Sequence, residues 1–506
     1  LTKLTNCLTT EEASASYSSQ SSEPHFPDVT ASYDANSKST LRDAIDQHRL
    51  LEKASFHTPG HKGRVQRHET ELATDLTELP GLDDLSSPRG VLAGLNHAAS
   101  EIWNTRSSLL SINGASAGLI ASIMCVASRG QYLLVPRNAH KSVVTGLILS
   151  GLEPIWYSPV WNDSWKLFEE VTPAAIEQLF FDTKRRNVAA MVVVSPTYAG
   201  AYSDIRALSE LCKSHGIALI VDEAHGAHVV GRGSEKEESK KERSAVRGGA
   251  DVVVHSLHKT LGALTQTGLI QVPHNSEILE ANLSHHLNML QSTSPSYLLM
   301  LSIEDALCRI SSGEDLSRVR ELAMTLRNSV PKSFEVYDTA YSTDEWHVLL
   351  RHEQVDSHEL FEFLTKRGIY PECELGNGVL LMLGVGSNSD DLNLLTDALI
   401  DFQKLAESLS GCDEFRVEID ARSCDTRIKP ETIDQILAPR IASLAPSTEI
   451  LLAEAENFIA AECIAPCPPG TPVCVPGQRL TKEVLNQIPK KNVRVVITKQ
   501  LESNPT

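Results

Sequence analysis

The chain has 506 residues, 41% of them hydrophobic and 22% charged, with a formal charge of −19. Such a length buries more than one sizeable core, and so acidic a balance repels a phosphate backbone, so no nucleic-acid partner is expected. The longest apolar runs, such as IALIV at 217–221, are strand-sized, which speaks for a soluble protein without a membrane span.

Residues 1–40 are rich in Ser and Thr, show no apolar period and are expected to be a disordered leader. They start without Met, as inside a precursor or fragment. The serine content suits a transit-peptide remnant and hence a plastid, whereas Glu11, Glu12, Glu23 and the lack of arginine suit a plain tail on a cytoplasmic protein. From about 105 to 275, QYLLVP (131–136), AMVVVS (190–195), IALIVD (217–222) and DVVVHS (251–256) are continuous apolar runs typical of strands covered on both faces. DIRALSELCKSHG (204–216) between two of them has helical spacing and ends at Gly216, a C-cap signal. The alternation predicts a largely parallel α/β sheet with ligands bound beyond the carboxyl ends of its strands.

The mixed-charge stretch 231–249 reads as a solvated loop or short surface helix. Beyond about 330 come shorter strands, EWHVLLR (345–351) and GVLLMLG (378–384), helices around 391–409 and 446–461, and a strand-like segment from 492. The expected division is therefore a leader at 1–40, a large domain at 41–325 and a smaller α+β domain at 326–506. The ten cysteines are scattered as in a reduced intracellular protein. Cys463, Cys467 and Cys474 form no CxxC knuckle, so no metal site is expected.

Four polar residues fall at predicted strand ends of one sheet: Asp222, Lys259, Thr197 and His140. Asp222 and Lys259 alone would be compatible with a simple buried ion pair. NGASAGLIAS (113–122), however, is a small-residue turn running into a helix, suited to a phosphate at its backbone N–H groups and Ser116, and HSLHK (255–259) adds Ser256 and His258. A phosphate site, a lysine and a strand-end carboxylate together are what pyridoxal phosphate requires. The VDEAH at 221–225 also matches a helicase motif, but the chain has no Gly-Lys dipeptide and so no P-loop.

SFHTPGHKG (55–63), TELPGLDDL (77–85), NGASAG (113–118), RNAHKS (137–142), SPTYAG (195–200), VDEAHGAH (221–228), HSLHKTLGALTQTG (255–268) and TSPSYLL (293–299) closely resemble the bacterial-type ornithine/lysine/arginine decarboxylases. The resemblance spans about residues 40–480. It implies a large domain of the aspartate-aminotransferase-like fold (fold type I) with a mostly parallel sheet, a smaller α+β C-terminal domain, and pyridoxal 5'-phosphate as cofactor. By position, Lys259 would carry the cofactor aldehyde as a Schiff base and Asp222 would pair with the ring nitrogen. His140 would stack on one ring face and Ala224, followed by His225, would pack on the other. Ala115, Ser116, Ser256 and His258 would surround the phosphate, and Thr197 would touch the cofactor rim. Lys259 or His140 would return a proton to Cα. The resemblance further implies a basic amino-acid substrate, a role in polyamine metabolism, and a homodimer or higher homo-oligomer with its site at the interface, plausibly completed by TSPSYLL of the partner.

With 56 residues ahead of His57, the resemblance is to the short form without an N-terminal wing domain. PCPPGTPVCVPGQ (466–478) departs from the family pattern by placing Cys467 where Tyr is usual and Gln478 where Glu is usual. The rival expectations are another pyridoxal-phosphate reaction on the same fold, transamination or carbon–sulfur lysis, and a non-catalytic homologue that regulates an active partner.

Overall fold

The computed structural model describes residues 54–56, 83–182, 186–230, 243–409 and 433–497. The leader at 1–40, most of SFHTPGHKG and TELPGLDDL, and residues 231–242 of the charged stretch lie outside the described residues. Everything described belongs to one compact unit.

Seven strands form the central sheet: β1 Ser107–Ser111, β2 Tyr132–Pro136, β3 Glu153–Tyr157, β4 Val188–Val194, β5 Ala218–Asp222, β6 Val252–Ser256 and β7 Gly268–Val272. Their spatial order is β1-β7-β6-β5-β4-β2-β3. All neighbours from β6 to β3 run parallel, while β7 is antiparallel to both β1 and β6. Every residue of β1, β5, β6 and β7 is buried, and in β5 (ALIVD) and β6 (VVVHS) this burial on both faces shows as a run of successive apolar residues.

The helices that cover the sheet are specified locally. Ile205–Ser214 starts at Asp204, whose side chain accepts from Ala207 N–H at 3.0 Å, a cap worth about 1 kcal/mol. It ends before Gly216 at φ +68°. The helix Gly114–Val126 lies close against β6 and β7 because Gly118 has no side chain: a Cβ there would stand 2.8 Å from Val254 Cγ1 and 2.9 Å from Ile270 Cγ1. That approach sets the height of the helix N-terminus above the strand ends.

A second sheet, order β8-β9-β11-β10, consists of β8 Phe334–Val336, β9 His347–His352, β10 Cys373–Leu375 and β11 Gly378–Met382, all antiparallel. Helices Ser357–Lys366 and Ser389–Leu409 flank it over a core of Val348, Leu350, Leu364, Leu381, Leu395 and Leu399. The architecture is the expected α/β arrangement with an α+β part behind it. The helix expected over 446–461 is absent. Ser447–Leu451 is instead a strand paired antiparallel with Asn492–Val496, and Asn457 takes φ +67°. The apolar residues of that segment recur closely enough to mimic a helix face, but a waiting edge strand satisfies its backbone better.

One buried carboxylate–imidazole hydrogen bond ties the VDEAH and HSLHK motifs together. His255 Nε2 stands 2.7 Å from Glu223 Oε2, both side chains are fully buried, and Glu223 Oε1 accepts from Ala245 N–H at 2.9 Å. Removing one partner of such a pair strands the other in a low-dielectric interior. Glu223→Ala is expected to lower unfolding stability by about 3–5 kcal/mol, read as a drop in the urea midpoint; a change within experimental error would show that the pair is energetically neutral.

Candidate active site

The candidate site residues gather at the carboxyl ends of β4, β5 and β6. Asp222 is the last residue of β5, in register with Val254 of β6, and Lys259 follows β6 in the short helix Leu257–Thr260. The Asp222 carboxylate is buried and accepts from Ala224 N–H at 3.2 Å. Burial disfavours its charged form and raises its pKa, and the Lys259 charge and that N–H pull the other way. Burial likewise lowers the basicity of Lys259, opposed by the nearby carboxylates of Asp222 and Glu372 and by Cys467. The lysine therefore sits beside two carboxylates in a site that penalises its charge.

Lys259 Nζ is hydrogen-bonded to His225 Nε2 at 2.7 Å. His225 is buried, meets the Tyr198 ring edge-on with centroids 4.6 Å apart, and places Nδ1 3.1 Å from His347 Nε2. Tyr198 donates to Glu372 Oε1 at 2.5 Å, and its ring centroid is 5.8 Å from Lys259 Nζ. Burial, then Glu372, raises the Tyr198 hydroxyl well above the usual phenol range, so it stays a donor.

His140 caps the helix Lys141–Ser150: its Nδ1 accepts from Ser142 N–H at 3.2 Å and lies 2.8 Å from Ser142 Oγ. Burial, with Lys259 and Lys141 nearby, holds the ring down at about 4, so it is neutral at pH 7. Gly470 covers it. This residue has φ +81°, its carbonyl accepts from Lys141 N–H at 2.9 Å, and a Cβ on it would stand 2.7 Å from His140 Cδ2.

The remaining predicted positions fall as follows. Ala115 and Ser116 occupy the first turn of Gly114–Val126, where N–H groups lack intrahelical acceptors. Ser256 ends β6 opposite Gly268, and a Cβ on Gly268 would be 2.9 Å from Ala115 N, so Ser256 and that helix turn are neighbours. His258 Nδ1 lies 3.2 Å from the Thr267 carbonyl. Thr197 is buried and its Oγ1 accepts from Ala201 N–H at 3.0 Å within its own turn. Ala224 packs into the core under the sheet.

The sequence did not single out Glu372, His347, Asp344 or Gly470. They come from the second sheet and the C-terminal segment, and only contacts across the fold reveal them. The two departures separate: Cys467 is within electrostatic reach of Lys259 and Tyr198. Gln478 instead is buried in a local turn, where its Oε1 accepts from Val475 N–H at 3.2 Å. Tyr297 of TSPSYLL donates to the Asp83 carbonyl at 2.6 Å within the same chain.

The sheet order and the helices on its faces define an α/β protein of fold type I. The chain belongs to the family whose model, Orn/Lys/Arg decarboxylase, major domain, matches residues 39–366; its members are amino-acid decarboxylases, carboxy-lyases that depend on pyridoxal phosphate. Among curated relatives, an arginine decarboxylase of Bacillus subtilis is 27% identical over 88% of this chain and 92% of its own length. An uncharacterized B. subtilis protein, YaaO, is 30% identical over 88% of this chain and 93% of its own length. Among solved structures, lysine decarboxylase A from Pseudomonas aeruginosa superposes with a TM-score of 0.67 at 19% identity, covering 88% of this chain and 74% of that one, a likeness of fold. Among the described residues no helix is long and apolar enough to cross a membrane.

The residues present fit the family's cofactor. A buried carboxylate whose ionised form is favoured by a neighbouring positive charge suits a cationic ring nitrogen, a neutral imidazole suits a ring face, and a glycine-lined helix start suits a phosphate. Gly470→Ala is expected to displace His140 by overpacking worth about 1–3 kcal/mol, and so to weaken cofactor retention roughly tenfold in equilibrium dialysis. Retention equal to wild type would separate Gly470 from the cofactor site.

Proposed function

We propose that the chain decarboxylates a basic amino acid, arginine, lysine or ornithine, using pyridoxal 5'-phosphate bound at Lys259, and that it serves polyamine metabolism. The observation that carries this is one buried lysine amine under the electrostatic influence of two carboxylates, Asp222 at the end of β5 and Glu372, which accepts a hydrogen bond from Tyr198. The first suits the ring nitrogen, the second a cationic side chain.

The cofactor, when bound, supplies the electron sink that lets the Cα–carboxylate bond break. The chain supplies the rest. Asp222 keeps a proton at the ring nitrogen, and the helix start at Ala115 and Ser116, with Ser256 and His258, holds the phosphate. His140 and Ala224 fix the ring plane, with Thr197 at its rim. His140, being neutral, is a poor acid, which leaves Lys259, hydrogen-bonded to His225 at 2.7 Å, as the group that would return a proton to Cα. Tyr198 and Glu372 orient the substrate's distal cation by a charge-assisted contact. A homodimer in the cytoplasm, its site completed by the partner, agrees with this reading.

Incubation with each of the three amino acids is expected to release carbon dioxide and the matching amine from at least one. Release from none sinks the proposal in favour of another reaction or a regulatory role. Lys259→Ala is expected to abolish the visible absorbance of bound cofactor. Glu372→Gln is expected to raise KM for the cationic substrate about tenfold, the value of one charge-assisted bond, with a smaller effect on kcat; an unchanged KM removes Glu372 from substrate binding.

A further inference from the structure

The turn Pro466–Gly470 closes on the site from the C-terminal segment, and Cys467 on it is exposed. Two hydrogen bonds hold the turn: Gly470 N–H donates to the Pro466 carbonyl at 2.8 Å, and Lys141 N–H donates to the Gly470 carbonyl at 2.9 Å. A Cβ on Gly470 would stand 2.9 Å from His140 Nε2 and 4.0 Å from Cys467 Sγ, so the thiol and the imidazole edge face the same small space. Cys467 is also within electrostatic reach of Lys259, Tyr198 and Cys373, the first residue of β10. It therefore links the His140 side of the site to the Tyr198–Glu372 side, at a position where the family usually carries the much larger tyrosine.

Among the described residues, the side chains that reach this space are short of acceptors. His140 Nδ1 accepts from Ser142 N–H, so the ring proton is on Nε2, which donates. Tyr198 gives its proton to Glu372, and burial keeps the Tyr198 hydroxyl and the Cys373 thiol protonated. Sulfur is a weak acceptor. Of the two carboxylates that act on Lys259, Asp222 is assigned to the ring nitrogen, which leaves Glu372. A substrate cation beside Glu372 thus meets one carboxylate and otherwise aromatic and sulfur surface.

The two kinds of substrate cation fare differently there. An ammonium, as on lysine or ornithine, is a compact, strongly hydrated charge with three donors to satisfy. A guanidinium is planar and weakly hydrated, pairs with a single carboxylate through two parallel hydrogen bonds, and lays its faces on aromatic surface. We propose that Cys467 is a specificity-determining residue: its small side chain leaves room beside Tyr198 and Glu372 for a planar guanidinium, so that the chain prefers arginine to lysine and ornithine. The proposal rests on the reading of Glu372 as the partner of the substrate's distal cation and narrows it to one substrate. A tyrosine at the same position would fill the space that the guanidinium needs, while an ammonium, having no plane to accommodate, would lose less.

The exposed thiol makes the test direct. Full-length protein loaded with pyridoxal phosphate is treated with iodoacetamide, and alkylation of the Cys467 peptide is read by mass spectrometry against exposed Cys308 as internal standard. The probes are the amides of arginine, lysine and ornithine at equal concentration, which keep the side-chain cation and have no carboxylate to lose. Argininamide is expected to slow alkylation of Cys467 about tenfold, as about nine-tenths occupancy would, and the other two amides by less than about threefold. Equal slowing by all three amides, or none by argininamide, overturns the proposal. In turnover, Cys467→Tyr is expected to lower kcat/KM for arginine relative to ornithine about tenfold, the usual worth of one altered pocket contact; an unmoved ratio in a variant that keeps the cofactor absorbance overturns it, as does a wild-type preference for ornithine or lysine. The labelling uses the wild-type chain and decides the matter even where the variant does not fold. Selective protection by argininamide without amine release from any of the three amino acids defeats the decarboxylase reading and leaves the guanidinium pocket standing.

Discussion

A lysine amine drawn out of water loses hydration worth several kcal/mol unless its charge is paired or its proton moved. At Lys259 this cost is met by a 2.7 Å contact with His225 and by carboxylates on two sides. The rest of the site is arranged around that contact. Asp222 is fixed by its strand, His225 by a buried partner on the second sheet, and Glu372 by Tyr198.

Two close approaches allow the arrangement. Gly118 lets the helix Gly114–Val126 sink onto β6 and β7, and Gly200 lets the turn after β4 touch the residues that enter β9. Both place backbone where a side chain would collide, so the glycines of NGASAG and SPTYAG act through packing rather than chemistry. The second sheet is therefore part of the site. It supplies His347 from β9, Asp344 just before it, and Glu372 beside β10.

Four strands of the large sheet, β2, β4, β5 and β6, were legible because burial on both faces leaves an apolar run, and the strand-end positions of Asp222 and Lys259 followed from them, whereas β1 (SSLLS), β3 (EPIWY) and β7 (GLIQV) carry polar, proline or glycine residues that hide them. The motifs also pointed to the family. What the sequence hid lies more than eighty residues from Lys259 in chain order, on strands too short and mixed to announce a role. Asp344, His347 and Glu372 read in isolation as ordinary surface or core polars. The segment 446–461 misled for a related reason: its apolar spacing suited a helix, and only the edge strand Asn492–Val496 made extended pairing the better solution. Cys467 stood out as a departure by sequence, yet its approach to Lys259, and the distance of Gln478 from it in role, emerged only from the folded chain.

The central claim is that Lys259 is the residue that holds the cofactor. Reduction of the pyridoxal-phosphate-loaded protein with borohydride, followed by peptide mapping, tests it directly. The account predicts one stable cofactor adduct, on the peptide containing HSLHK and at Lys259; an adduct on a different lysine, or none, contradicts it.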